Sequence, residues 1–396
     1  MKRLDILFPL FLLLSCNGAI DPADNPVPAE SPVPEAGGID LSPAGLARLF
    51  SELPIRAEHL KEVHDAVGSS SGNGYDEEYT MSCLVDSPGS GVGEDPGTKA
   101  VKAASYHTPL RDLLREHLGR KAATRAGAED ILEALARTDY QLYWPYSDDW
   151  DGRSFPVITF DPGSGIETNY GYEISLGPDG AHIVDSVFVD EALAMKRPVW
   201  VFNSNSDAAF TPLRKALAVR DTLGAGGRAS GSSAAGPLSR PRKLLLKSLK
   251  MLRNYDSWFG GASEFWVKCG AVEGFNATTD AELKLYNPSV TDFMIVVKRR
   301  QIGEEIPYEA ILVSDFSTQL DKLAFLLLED DGGTRTSWKA EVQVKIQSKS
   351  YGLSIDIPYN EKDDIVWRGQ LSARFFEEED VVEGRFGDVV VSFELD

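Results

Sequence analysis

The chain has few of the residues that usually announce chemistry. Three cysteines and five histidines are spread over 396 residues. That scatter excludes the close Cys/His spacing of a zinc site. Cys83 and Cys269 read either as a pair closed in an oxidising compartment or as two separately buried thiols, because sequence gives no distance between them. Basic charge is also scarce: 40 Lys and Arg stand against 61 Asp and Glu, a formal net charge of -21. Phosphate backbones would be repelled, so nucleic acid is excluded as a partner. No apolar run reaches the roughly 20 residues that span a bilayer as a helix. The glycine-rich stretch at 88–93 lacks the Lys-Ser/Thr of a phosphate loop and runs into Glu94 and Asp95, which excludes nucleotide binding there. Gly68-Ser69-Ser70-Ser71-Gly72 fits Gly-x-Ser-x-Gly, but a nucleophile elbow needs a strand before it and a helix follows Pro54 instead. His59 and His64 are five apart on that helix and do not share a face as metal ligands would; both read as solvent-exposed. No convergent catalytic set is legible, so the chain reads as a binding or structural protein rather than an enzyme.

What is present starts at the amino terminus. Lys2 and Arg3 precede an apolar run over residues 6–14, closed by Leu13-Leu14-Ser15-Cys16. A charged start and a short apolar core describe a signal peptide, not a membrane span. Leu-x-x-Cys at its end resembles the lipobox of bacterial lipoproteins. The resemblance implies that residues 1–15 are removed and that Cys16 becomes an acylated, palmitate-bearing first residue. The chain would then be held on the membrane without a transmembrane helix. Asn17, where an Asp would favour inner-membrane retention, implies the outer membrane of the cell envelope. Residues 16–40, rich in Pro, Ala, Asp and Glu, cannot bury enough apolar surface to offset their chain entropy, and read as a tether.

The remainder divides by period. Residues 41–221 predict an α+β region. Pro43 and Pro54 sit at helix starts, and an apolar side of Ile55, Leu60, Val63 and Val67 ends at Gly68. Leu110, Leu113, Leu114 and Leu118 form a second stripe, and residues 128–137 a third helix. Residues 79–85 predict a strand, as do 156–160, 183–189 and 198–202. Residues 222–242, mostly Gly, Ser, Ala and Pro, read as a flexible linker. In 243–253, leucines interleave with Lys247, Lys250 and Arg253; this is an amphipathic helix on lipid, a short surface helix, or a strand leading into the next domain. Residues 243–396 predict an antiparallel β-sandwich. Trp338, Ala340, Val342, Val344 and Ile346 alternate with polar residues, and Val389, Val391, Phe393 and Leu395 repeat the pattern.

Two stretches have binding chemistry. Glu329-Asp330-Asp331-Gly332-Gly333 and Glu361-Lys362-Asp363-Asp364 are acidic loops that could lie at one end of the sandwich. Asp330, Asp331, Asp363 and Asp364 are candidate calcium ligands, since calcium takes six to eight oxygens. The second loop resembles part of the acidic loop of synaptotagmin-like calcium- and phospholipid-binding domains, although the spaced aspartates of that family's earlier loop are not found here in order. The alternative is solvated turn residues. The other stretch is 140–152, where Trp144, Asp149, Trp150 and Asp151 are candidate ligand contacts: aromatic faces beside carboxylates suit a sugar, for a glycan binder or hydrolase, or another envelope component. The alternative there is an aromatic junction between helices and sheet.

Overall fold

The computed structural model describes residues 35–36, 38–85, 109–121, 125–176, 182–205, 210–217 and 241–396. The signal and lipobox, residues 16–34 of the tether and residues 222–240 of the linker lie outside them. The fold is α+β, with a sheet-rich C-terminal region. The end of the expected tether is structured: β1 (Glu35–Ala36) pairs with β2 (Ile39–Asp40), and Ile39 rests on the helical core.

Ser42 caps α1 (Pro43–Ser51), its hydroxyl accepting the Gly45 N–H at 3.1 Å, with proline in the first turn. Helix α2 (Ala57–Gly72) runs past Gly68, where the sequence pattern ended it. Gly68 is on the solvent side with open space at its Cβ position. The buried face continues to Ser70, which donates to Glu78 at 3.3 Å. The expected strand over 79–85 is split into β3 (Glu78–Thr80) and α3 (Met81–Val85). The Thr80 hydroxyl accepts the Cys83 N–H at 3.3 Å and so starts the helical turn. Helices α4 (Leu110–Lys121) and α5 (Arg125–Ala136) follow. Next come β4 (Tyr140–Tyr143), β5 (Val157–Phe160), β6 (Thr168–Leu176), β7 (His182–Asp190), α6 (Glu191–Ala194) and β8 (Val199–Ser204). They form one sheet in the order β3-β4-β8-β5-β6-β7, antiparallel except for β5 beside β8. Alternation on β8 divides its work between two faces. Trp200 and Phe202 pack on the helices, with Phe202 and Phe50 ring centroids 4.7 Å apart. Val199 and Val201 face the other way, beside Tyr143 and Val157.

The C-terminal region is a sandwich of antiparallel sheets. One orders β12 (Ile306–Val313), β9 (Leu244–Met251), β18 (Val389–Leu395) and β17 (Val381–Phe386). The other orders β11 (Ser289–Val297), β10 (Ser263–Ala271), β13 (Leu320–Glu329), β14 (Arg335–Ile346) and β15 (Lys349–Asn360), with β16 (Asp364–Ser372) also paired along β13. The sheets meet through Phe325 and Phe393, 5.6 Å apart. Of the alternatives for 243–253, the strand is realised: Leu244, Leu246, Leu249 and Met251 enter the sandwich core, in two alternating pairs separated by a bulge at Lys247. Cys269 lies in that core and Cys83 against the helices, so the two thiols form no disulfide. Among the described residues no helix is long and apolar enough to cross a membrane.

The segment between β9 and β10, residues 252–262, joins the two regions. Trp258 and Phe259 complete the small core on the outer face of the N-terminal sheet, against Val199 and Val201. The Trp258 indole N–H donates to the Glu167 carbonyl at 2.9 Å. The Asn203 amide donates to the carbonyls of Phe259 and Gly260 at 2.9 and 2.6 Å.

Candidate metal centre

The two acidic loops converge, and Asn360 is the bridge between them. Its backbone N–H donates to Asp363 at 2.7 Å, and its side-chain amide to Asp330 at 3.3 Å. Asp330 also accepts the Trp266 indole N–H at 3.0 Å and the Gly332 N–H at 2.9 Å. Both aspartates are buried, and Asp330 in particular is spent on building the loops. Asp331 and Asp364 are exposed. Partial burial, then the carboxylates of Asp256, Asp364 and Asp363, raise Asp331 to about 6. Asp364 lies opposite Glu329 in the β13–β16 ladder.

A tighter group sits behind these loops. Asp256, Glu264 and Glu329 each bring a carboxylate oxygen within 4.8 Å of the other two. Glu329 is the last residue of β13, after an unbroken apolar run from Leu323 to Leu328. Its position in the ladder, opposite Phe265 on β10, fixes it. Its side chain is 0 % exposed, and no N–H or hydroxyl among the described residues donates to either Oε atom, which leaves the Asp256 carboxyl as its polar neighbour. Burial first, then the adjoining Asp256 carboxyl, push its pKa far above the carboxylate range. Burial raises Asp256 too. No lysine or arginine pairs with either among the described residues. Arg299 donates to the backbone carbonyl of Asp256 at 3.2 Å and is held by Glu191 at 2.6 Å. A buried carboxylate is costly unless something positive meets it. Arg299 offsets part of the Asp256 charge; for Glu329 a proton or a cation would do so.

The aromatic stretch does not present itself as a platform. Trp144 is 1 % exposed and sits edge-on between Trp150 and Trp200, at 5.4 and 5.8 Å. A sugar needs an open ring face, and this one is used up in packing. Trp150 is half-buried, its indole N–H donating to the Ser154 carbonyl at 2.9 Å. Asp151 caps a turn, accepting the N–H groups of Arg153 and Ser154 at 2.8 and 2.7 Å. Asp149 is exposed at the rim of a cleft of about 120 Å³, well below the roughly 300 Å³ at which ligand pockets begin. A larger cavity, about 540 Å³, lies elsewhere, lined by Tyr75, Arg214, Lys298, Glu305 and Tyr308. Ser70 is in the last turn of α2, not on a strand-to-helix elbow. His59 is buried, not exposed, because its ring accepts the Arg56 N–H at 3.0 Å and so caps α2.

The chain matches none of the protein-family models and none of the curated proteins compared with it. Function is therefore carried by the side chains themselves.

One titration should be visible at the junction of the two regions. Asp76 accepts the N–H groups of Glu77 at 2.7 Å and Ala262 at 3.0 Å. Burial, then the Glu77 carboxylate, lift it from 3.8 to about 7. The folded chain thus holds a proton that the unfolded chain has released. Its contribution is complete below pH 3.8 and is lost as pH rises through about 7. Between those values stability should fall by up to about 1.4 kcal/mol per pH unit from this group. Asp76→Asn should flatten that slope. His117, lowered by burial, acts in the opposite direction. The quantity to measure is therefore the difference in urea midpoint between variant and wild type at pH 5 and pH 7. A difference that does not change with pH would show that Asp76 does not carry this titration.

Proposed function

We propose that this is a lipid-anchored protein of the bacterial cell envelope, held at the outer membrane by Cys16, whose role is binding rather than catalysis. At the end of its sandwich it takes up a divalent cation, calcium. Asp256, Glu264 and Glu329 are the inner ligands, and Asp331 and Asp364 form the outer rim. The observation that carries this reading is Glu329, fully buried with no N–H or hydroxyl donor on either oxygen. The donor set is all carboxylate oxygen, which suits calcium, magnesium or manganese and not the softer metals. Oxygens on opposite sides of a calcium ion at roughly 2.4 Å lie about 4.8 Å apart, and the three side chains meet that limit. The acidic loops first suggested by the sequence supply the negative rim, while the inner ligands come from one loop and two strand ends.

A second reading rests on the raised pKa values of Glu329 and Asp256: the two carboxyls share a proton and no metal is taken up. Thermal melting of the full chain separates the two. With calcium at 100 times its dissociation constant, stabilisation is about 2.7 kcal/mol, which should raise the melting temperature by several degrees over the same protein in EDTA. No shift at millimolar calcium would leave the shared proton. Mass spectrometry of the processed amino terminus tests the anchor: a diacylated or triacylated Cys16 is expected, and an unmodified chain would remove the membrane placement.

A further inference from the structure

We propose that cation binding at this centre controls the docking of the sandwich onto the N-terminal region; this rests on the cation reading above. Two of the three inner ligands are carried on paired strands. Glu264 and Glu329 lie on β10 and β13, which pair with each other from Phe265–Glu329 to Gly270–Ala324. Asp256 is different, since it lies on the connecting segment 252–262. Two residues further on, that segment enters the N-terminal region. Trp258 and Phe259 are both 0 % exposed there. Trp258 donates to Glu167, Asn203 grips two carbonyls, and the Ala262 N–H donates to Asp76 at 3.0 Å. The close approach needs glycine at 261, where φ is +127° and a Cβ would come within 2.8 Å of the Asp76 carboxylate. Arg299 spans the same joint, from the Asp256 carbonyl to Glu191 on α6.

Without a cation, Asp256 is joined to Glu329 by no more than a shared proton, and it is the one ligand that lies outside the paired strands. Any displacement of Asp256 is passed to Trp258 and Phe259. A bound cation draws Asp256 inward and seats the segment. Calcium and docking are thus coupled, and each must favour the other. In an anchored chain, such a joint would set how rigidly the sandwich is carried on the region nearer the membrane.

Hydrogen exchange on the full chain, in 1 mM calcium and in EDTA, tests this. The amides of Trp258, Gly260 and Ala262 are expected to exchange at least tenfold more slowly with calcium, while those of β14 and β15 keep the same rates. Glu329→Gln should abolish the calcium effect at 257–262. Asp256→Asn serves the same purpose if the first variant does not fold. Calorimetry on the same samples keeps the two ideas apart. Calcium uptake with unchanged exchange at 257–262 overturns the coupling and leaves the cation site standing; absence of calcium uptake overturns both.

Discussion

Replacing Glu329 with leucine is expected to make the calcium-free protein more stable and to erase its response to calcium. The two effects have one cause. A carboxylate kept for a ligand is a liability when the ligand is gone, and Glu329 is buried with no N–H or hydroxyl donor on either oxygen. Exchanging a buried charged group for an apolar one of similar volume is commonly neutral or stabilising, by about 1–4 kcal/mol, and leucine continues the apolar run of β13. A gain in urea midpoint in EDTA, together with loss of the calcium-induced gain, is the signature of a ligand site. A loss of stability in EDTA would mean that Glu329 is held by the shared proton and contributes to the fold.

Trp258→Ala should have the largest structural cost. The indole is buried against Val199, Val201 and Val157, and its ring centroid lies 3.9 Å from that of Phe259. Truncating a buried aromatic costs about 3–5 kcal/mol, and the Glu167 carbonyl loses its donor as well. This core is small and belongs to both regions. Removing its centre should therefore uncouple them, and calorimetric melting should change from one transition to two. A single transition at the wild-type temperature would show that the regions are held elsewhere.

Much of the architecture was legible from period alone. The alternation at 338–346 and 389–395 gave strands because each has one wet face, and the leucines of 110–118 gave a helix. The misplaced boundaries were those decided by single contacts. Gly68 does not end α2, because it faces solvent while Ser70 still has a buried partner. Thr80 turns a strand-like run into α3 with one hydrogen bond. The site was half legible. Asp330, Asp331, Asp363 and Asp364 stood out as clusters, yet the buried ligands lie apart in sequence, at 256, 264 and 329. Asp256 has no acidic neighbour in sequence to mark it, and the path of the connecting segment brings it to Glu329. One signal was available: a glutamate closing a run of six apolar residues in a fully buried strand has nowhere wet to go. The Trp144 stretch shows the opposite case, in which aromatics beside aspartates suit a sugar on paper but pack as a core.

Isothermal titration of calcium into the full chain and into its Glu329→Leu variant tests the cation site most directly. The wild type is expected to take up one cation per chain and the variant to give no binding heat. No heat from the wild type, or equal heat from both, would contradict it.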